Sequence, residues 1–211
     1  MDIKLIIKKN YYALIKCVLE VSRDMIAITF GRYNIVTNAH MNTIETILKQ
    51  WSKVVVGIVL PQINEDFDIN PKWQRFYQEG DKKNSGTPEF SISERISMWN
   101  LSLEEKKLNS RVKVVPILRP EYYPEIFNAT YPEREYQLVF PCDVAVENSF
   151  DNIRNAAFEN ILNRKVQIIY PQLILHTTDI RRNVRVFEDW KEYVPSGSYK
   201  IIKEKKCRTC E

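Results

Sequence analysis

Residues 25–30, Met-Ile-Ala-Ile-Thr-Phe, form a run of apolar and β-branched residues that Gly31 ends. Such a run suits a central strand buried on both faces. Over residues 40–51 the apolar positions are Met41, Ile44, Ile47, Leu48 and Trp51, which is helical spacing. Residues 53–60 are a second β-branched run. Strand, loop, helix and strand then make one βαβ unit. Residues 61–90 are polar and read as a long connection of the kind often tied to function. A helix is predicted over 91–106, with Ser91 and Glu94 spaced as a capping box. Residues 111–118 read as a third strand that Pro116 shortens or bends. Residues 119–135, rich in Pro and aromatics, read as an irregular loop on the substrate side. One or two strands follow over 136–140 and 142–147, split at Pro141. A helix over 150–163, a strand over 165–170 and a helix over 178–193 complete the alternation.

Strands alternating with helices predict an α/β chain with a Rossmann-like doubly wound sheet, mostly parallel. Two additions flank it. Residues 3–22 carry an amphipathic helical pattern, and the tail from Ser196 adds a short helix before a Lys-rich end. The expected division is an N-terminal helical extension over 1–24, a core domain over 25–203 and a basic, Cys-containing tail over 204–211. In a doubly wound sheet, ligands bind beyond the carboxyl ends of the strands, where strand order reverses. The loop after residues 25–30 is therefore the first candidate site.

Composition narrows this picture only a little. With 211 residues, 44% hydrophobic and 27% charged, the chain fits one globular domain with a substantial core. The net charge of +4 suits anionic small substrates and is too mild to point to nucleic acid. No stretch of about 18 apolar residues is present, so no membrane span is expected. The four cysteines, Cys17, Cys142, Cys207 and Cys210, are irregularly spaced and read as thiols of a reducing, cytoplasmic setting. The Cys207–Cys210 pair lacks two further ligands for zinc, so no protein metal site is expected.

The chemistry lies in two stretches. The first is Gly31-Arg32-Tyr33, a short loop, and then Thr37-Asn38-Ala39-His40 at a helix start. Gly31 allows a sharp turn and close approach to a phosphate. The helix start offers free N–H groups and its positive dipole end to the same space. His40, on the first turn, can donate to a phosphoryl oxygen whose charge grows in a transition state. The second stretch is Leu175-His176-Thr177-Thr178-Asp179-Ile180-Arg181, after an apolar strand and opening a helix. Thr177 and Thr178 can cap that helix and offer hydroxyls, and Arg181 can hold two phosphate oxygens at once.

Together these stretches resemble the nucleotidylyltransferase superfamily marked by a His-x-Gly-His or Thr-x-Gly-His signature. Its first motif matches Gly31-Arg32-Tyr33 and Thr37 to His40, with Ala39 where the family has Gly. Its C-terminal Ile-Ser-Ser-Thr-x-Ile-Arg motif matches Leu175, Thr177, Thr178, Ile180 and Arg181, with His176 in place of a Ser. The Thr-Asn-x-His form is similar to phosphopantetheine adenylyltransferase. Residues 90–98 and 189–203 are similar to segments of nicotinamide mononucleotide (NMN) adenylyltransferases. The resemblance implies transfer of AMP from ATP to a phosphorylated acceptor with release of pyrophosphate, NMN or nicotinate mononucleotide leading. It leaves open CTP, phosphopantetheine or another phosphorylated metabolite as substrates, and a nucleotide-binding module of weakened catalysis. It implies catalytic roles for His40, Thr37 and Arg181. The nucleotide would be held by Gly31, Arg32, Tyr33, Thr37, Ala39, His40, Thr177, Thr178 and Arg181, with Mg²⁺ across the phosphates. Arg95 is a further phosphate candidate. A homo-oligomer is compatible with all of this; nucleic acid and membrane are not expected partners.

Overall fold

The computed structural model describes residues 25–60, 90–142, 150–173 and 189–208. The predicted N-terminal helix, the connection over 61–89, the extension of a strand past residue 142, the second motif and the last residues lie outside them. Five strands form one sheet in the order β3-β2-β1-β4-β5. They are β1 (Ile26–Gly31), β2 (Val54–Val59), β3 (Val112–Ile117), β4 (Tyr136–Pro141) and β5 (Val166–Ile169). Every pairing is parallel, with Ile28 opposite Val55 on one side and Leu138 on the other. The helices are α1 (Asn38–Ile47), α2 (Ile92–Glu105), α3 (Pro124–Thr130), α4 (Phe150–Leu162) and α5 (Ser196–Arg208), with a 3₁₀ turn at Asp189–Tyr193 before α5.

The alternation of side chains along β1 divides the core in two. Ala27 faces a cluster with Met41, Ile44 and Ile47 of α1, Met98, Trp99 and Leu103 of α2, and Ile202 of α5. Ile28 and Phe30 face the opposite cluster, with Phe127 of α3 and Phe158 and Leu162 of α4. Helices thus cover both faces, as an all-parallel sheet requires. The five apolar positions that predicted α1 are all buried. The Ser91–Glu94 capping box is present: the backbone N–H of Glu94 donates to Ser91 Oγ at 3.2 Å, and that of Ser91 to Glu94 Oε2 at 2.7 Å.

Three expectations need correction. The stretch 119–135 is not wholly irregular, because α3 forms within it. Pro124 sits at its first turn, where a missing N–H is harmless, and Phe127 anchors it in the core. Pro116 neither ends nor shortens β3, which pairs with β2 through Ile117. The reason is phase. Arg111 and Ile117 both turn their carbonyls to β2, so Pro116, out of step with them, turns its nitrogen to the open edge. The C-terminal helix is also longer than expected, running unbroken from Ser196 to Arg208.

Candidate active site

Strand order reverses between β1 and β4, so the crevice beyond their carboxyl ends is the ligand position this topology favours. The turn after β1 enters it. Tyr33, not Gly31, takes the left-handed backbone conformation, with φ of 43°. Gly31 makes room instead: a Cβ there would stand 3.2 Å from the Tyr33 ring. The Tyr33 ring meets His40 edge-on at 5.1 Å between centroids and Trp99 at 5.0 Å. Burial pushes its phenol up to about 12, offset in part by the Thr29 hydroxyl and the nearby Arg154 cation.

Two contacts, one from α2 and one from the residue Phe90 just ahead of it, hold this turn. Arg95, which sequence offered as a phosphate ligand, has only 1% of its surface exposed. Its Nη1 donates to the carbonyl of Arg32 at 2.5 Å and its Nε to that of Ser91 at 3.4 Å. Desolvation, with the charge of Arg32 added, lowers the guanidinium's affinity for its proton. Arg95 therefore fixes the backbone of the turn. Asn34 adds the second contact, accepting from the backbone N–H of Phe90 at 3.3 Å. A left-handed non-glycine residue costs of order 1 kcal/mol, and these anchors on either side of Tyr33 are what such a conformation needs.

Thr37 is the N-cap of α1 and is fully buried. Its hydroxyl accepts from the backbone N–H of His40 at 3.4 Å. In return, the backbone N–H of Thr37 donates to His40 Nδ1 at 3.1 Å. The arrangement is a capping box in which an imidazole stands where Glu or Gln is usual. An amide N–H can only donate, so Nδ1 must be the bare nitrogen and Nε2 carries the proton. Burial lowers the imidazole to about 4, so the ring is neutral at pH 7. His40 thus presents an Nε2–H donor from the first turn of a helix, where the backbone N–H groups are also unclaimed by the helix. Ala39, the second residue of α1, has its methyl buried, and its carbonyl accepts from the Thr43 hydroxyl at 2.9 Å.

Sequence reasoning missed Arg154. From the first turns of α4 it donates to the carbonyl of Pro141, at the end of β4, at 2.7 Å. Its guanidinium pairs with Asp151 at 3.0 Å and lies over the Phe140 ring. It brings a cation to the crevice beside Tyr33, and nothing in the surrounding residues marks it; only the neighbouring of β1 and β4 does. Among the sequence candidates, Gly31, Arg32, Tyr33, Thr37, Ala39 and His40 are gathered at the end of β1. Thr177, Thr178 and Arg181 lie outside the described residues. Among the described residues, no group of three or more His, Cys, Asp or Glu side chains could hold a metal, and no helix is long and apolar enough to cross a membrane.

No family model matches the chain. Relatives do. The nicotinamide-nucleotide adenylyltransferase of Thermococcus onnurineus is 29% identical over 181 residues, covering 82% of this chain and 80% of its own. That of Methanococcus aeolicus is 28% identical over 185 residues, covering 85% and 89%. Among solved structures, the bifunctional NMN adenylyltransferase/ADP ribose pyrophosphatase of Francisella tularensis superposes with a TM-score of 0.58 at 13% identity over 87% of this chain. The present chain spans about half (49%) of that protein. The nicotinic acid mononucleotide adenylyltransferase of Plasmodium falciparum has a TM-score of 0.50 at 13% identity, covering 87% of this chain and 97% of its own. These two share the fold. With relatives that extend over most of the chain and a matching parallel sheet, the chain is similar to the NMN adenylyltransferases of the nucleotidylyltransferase superfamily, and these relatives indicate a nucleotidyltransferase enzyme.

Proposed function

We propose that the chain transfers AMP from ATP to NMN or nicotinate mononucleotide and releases pyrophosphate. The observation that carries the chemistry is the neutral His40, held by Thr37 so that Nε2–H is its donor at the start of α1. An acceptor phosphate oxygen attacks the α-phosphorus, the bond from that phosphorus to the α,β-bridging oxygen breaks, and pyrophosphate leaves with the electron pair. The nucleophile is already an anion near neutral pH, so no general base is needed. Catalysis then rests on positioning and on neutralising charge. In this reading, Nε2–H of His40 donates to a non-bridging α-phosphate oxygen as its charge rises. Backbone N–H groups of α1 favour the same anion. Thr37 acts through His40 by fixing its tautomer and angle. Arg32 and, from the second motif, Thr177, Thr178 and Arg181 bind the β- and γ-phosphates.

Mg²⁺ belongs to this reading as an ion carried by the phosphates and water. The described residues offer no carboxylate cage, and a Mg²⁺ ion bound through substrate phosphates needs none. When bound, it neutralises charge on the triphosphate. The choice of ATP with NMN or nicotinate mononucleotide draws its support from the named activities of the relatives. The test is pyrophosphate release from ATP or CTP offered with NMN, nicotinate mononucleotide, phosphopantetheine or sugar phosphates. Turnover is expected with ATP and a pyridine mononucleotide. Turnover only with another acceptor, or ATP binding without turnover on any of them, would refute the proposal.

A further inference from the structure

Asn38 and Asn42 stand one turn apart at the start of α1, with His40 between them. The Asn38 side-chain amide donates from Nδ2 to the carbonyl of Glu192 at 2.8 Å. Asn42 Oδ1 accepts from the backbone N–H of Leu173 at 3.0 Å. Both contacts are long-range, 154 and 131 residues apart in sequence. They share one feature: Leu173 immediately precedes, and Glu192 closely follows, the stretch 174–188 that carries Thr177, Thr178 and Arg181. The helix that bears the first motif therefore holds the chain on both sides of the second.

We propose that Asn38 and Asn42 are positioning residues that tie the two ends of the second motif's segment to the helix carrying His40. Fixing both ends of a segment removes part of the chain freedom that ordering it on a ligand would otherwise cost, so binding by that segment is opposed by less entropy. The two residues also differ in what they must supply. A carbonyl can only accept, so position 38 must donate. A backbone N–H can only donate, so position 42 must accept. The Asn-to-Asp change therefore has opposite consequences one turn apart. At position 42 a carboxylate still accepts from Leu173. At position 38 it faces the Glu192 carbonyl with nothing to donate.

Because Asn38→Asp and Asn42→Asp add the same charge to the same end of one helix, their difference isolates the hydrogen bond. The first measurement needs no nucleotide: hydrogen–deuterium exchange of peptides spanning 170–195, alongside thermal melting. Exchange there should be faster in Asn38→Asp and Asn38→Ala than in Asn42→Asp, with strands β1 and β2 unchanged. Equal exchange in the two Asp variants overturns the proposal. The second measurement is steady-state kinetics with ATP, and it rests on the function proposed above. Asn38→Asp should raise the KM for ATP about 3–10-fold over Asn42→Asp, with kcat within about two-fold, as expected for losing one hydrogen bond that organises ground-state binding. A difference in exchange without any difference in KM supports the anchoring and overturns the assignment of Arg181 to the triphosphate.

Discussion

The two ring nitrogens of His40 face different tasks. Nδ1 accepts from the backbone N–H of Thr37 at 3.1 Å, which leaves the proton on Nε2. If that Nε2–H meets charge that develops only in the transition state, His40→Ala should lower kcat about 10²–10³-fold and leave nucleotide affinity within a few-fold. An unchanged kcat removes His40 from the chemistry. Burial also sets the pH behaviour. The folded-state value of about 4 lies below the ordinary 6.5, so the imidazole's contribution to stability is complete above about pH 6.5. It is lost as pH falls through 6.5 toward 4, when protonation at Nδ1 would also break the bond from Thr37. The pH dependence of kcat should therefore show no inflection from His40 near 6.5. One that appears in the wild type and vanishes in His40→Ala would contradict this; one belonging to the acceptor phosphate would persist in both.

Ala39 adjoins this group and is the departure from the family pattern at the first motif. The residue is only 7% exposed and its backbone is already helical, so the conformational freedom of Gly has no use here. Ala39→Gly would loosen the first turn by about 1 kcal/mol and leave a small gap. Melting temperature should fall by about 2–4 °C, with lower turnover. Matched nucleotide titrations and turnover measurements decide the matter. A several-fold gain in both affinity and rate would mean that the methyl crowds the nucleotide instead of filling its place.

Among the elements, the pairing of α2 with α5 governs how firmly the turn at 31–34 is held. Arg95 and Trp99 reach that turn from α2, and α5 packs along α2 beside them. Gly197 is the closest point. A Cβ at this position would stand 2.5 Å from Leu101 Cβ and 2.9 Å from the Leu101 backbone carbon. Backbone cannot yield as a flexible side chain can. Glu105 accepts from both the N–H and the hydroxyl of Ser196 at one end, and Lys205 pairs with Glu94 near the other. Gly197→Ala must strain this contact even though Ala favours a helix. It should lower stability by about 1–3 kcal/mol, read as a fall in the denaturation midpoint at unchanged m-value. An unchanged or raised midpoint would show that helix propensity outweighs the packing.

Across the whole molecule, catalysis as proposed needs two stretches about 140 residues apart in sequence. Charge on the β- and γ-phosphates is present before transfer begins, so a residue that binds them acts on the ground state. Arg181→Ala should therefore raise the nucleotide KM roughly 10–100-fold, as for loss of one bidentate charged contact. A change confined to the acceptor KM would move Arg181 to the other substrate.

The sequence by itself determined the alternation of strands and helices, and with it the α/β class. Runs such as 25–30 and 53–60 suit strands buried on both faces, and their alternation with helical spacing points to a parallel sheet. It also determined the Ser91 capping box and the helix that places His40, because caps and amphipathic faces are written within four residues of one another. It could not disclose α3, whose proline reads equally well as a loop signal until Phe127 finds a core to enter. It could not disclose the tautomer of His40, which depends on where the N–H of Thr37 points. Arg95 and Arg154 were beyond it too. One reads as a phosphate candidate and the other as nothing in particular, and each takes its role from a carbonyl brought near by the fold: that of Arg32, 63 residues from Arg95, and that of Pro141, 13 residues from Arg154. Polar side chains that serve distant backbone leave no periodic trace in the sequence, so only the tertiary structure decides which of them build the site.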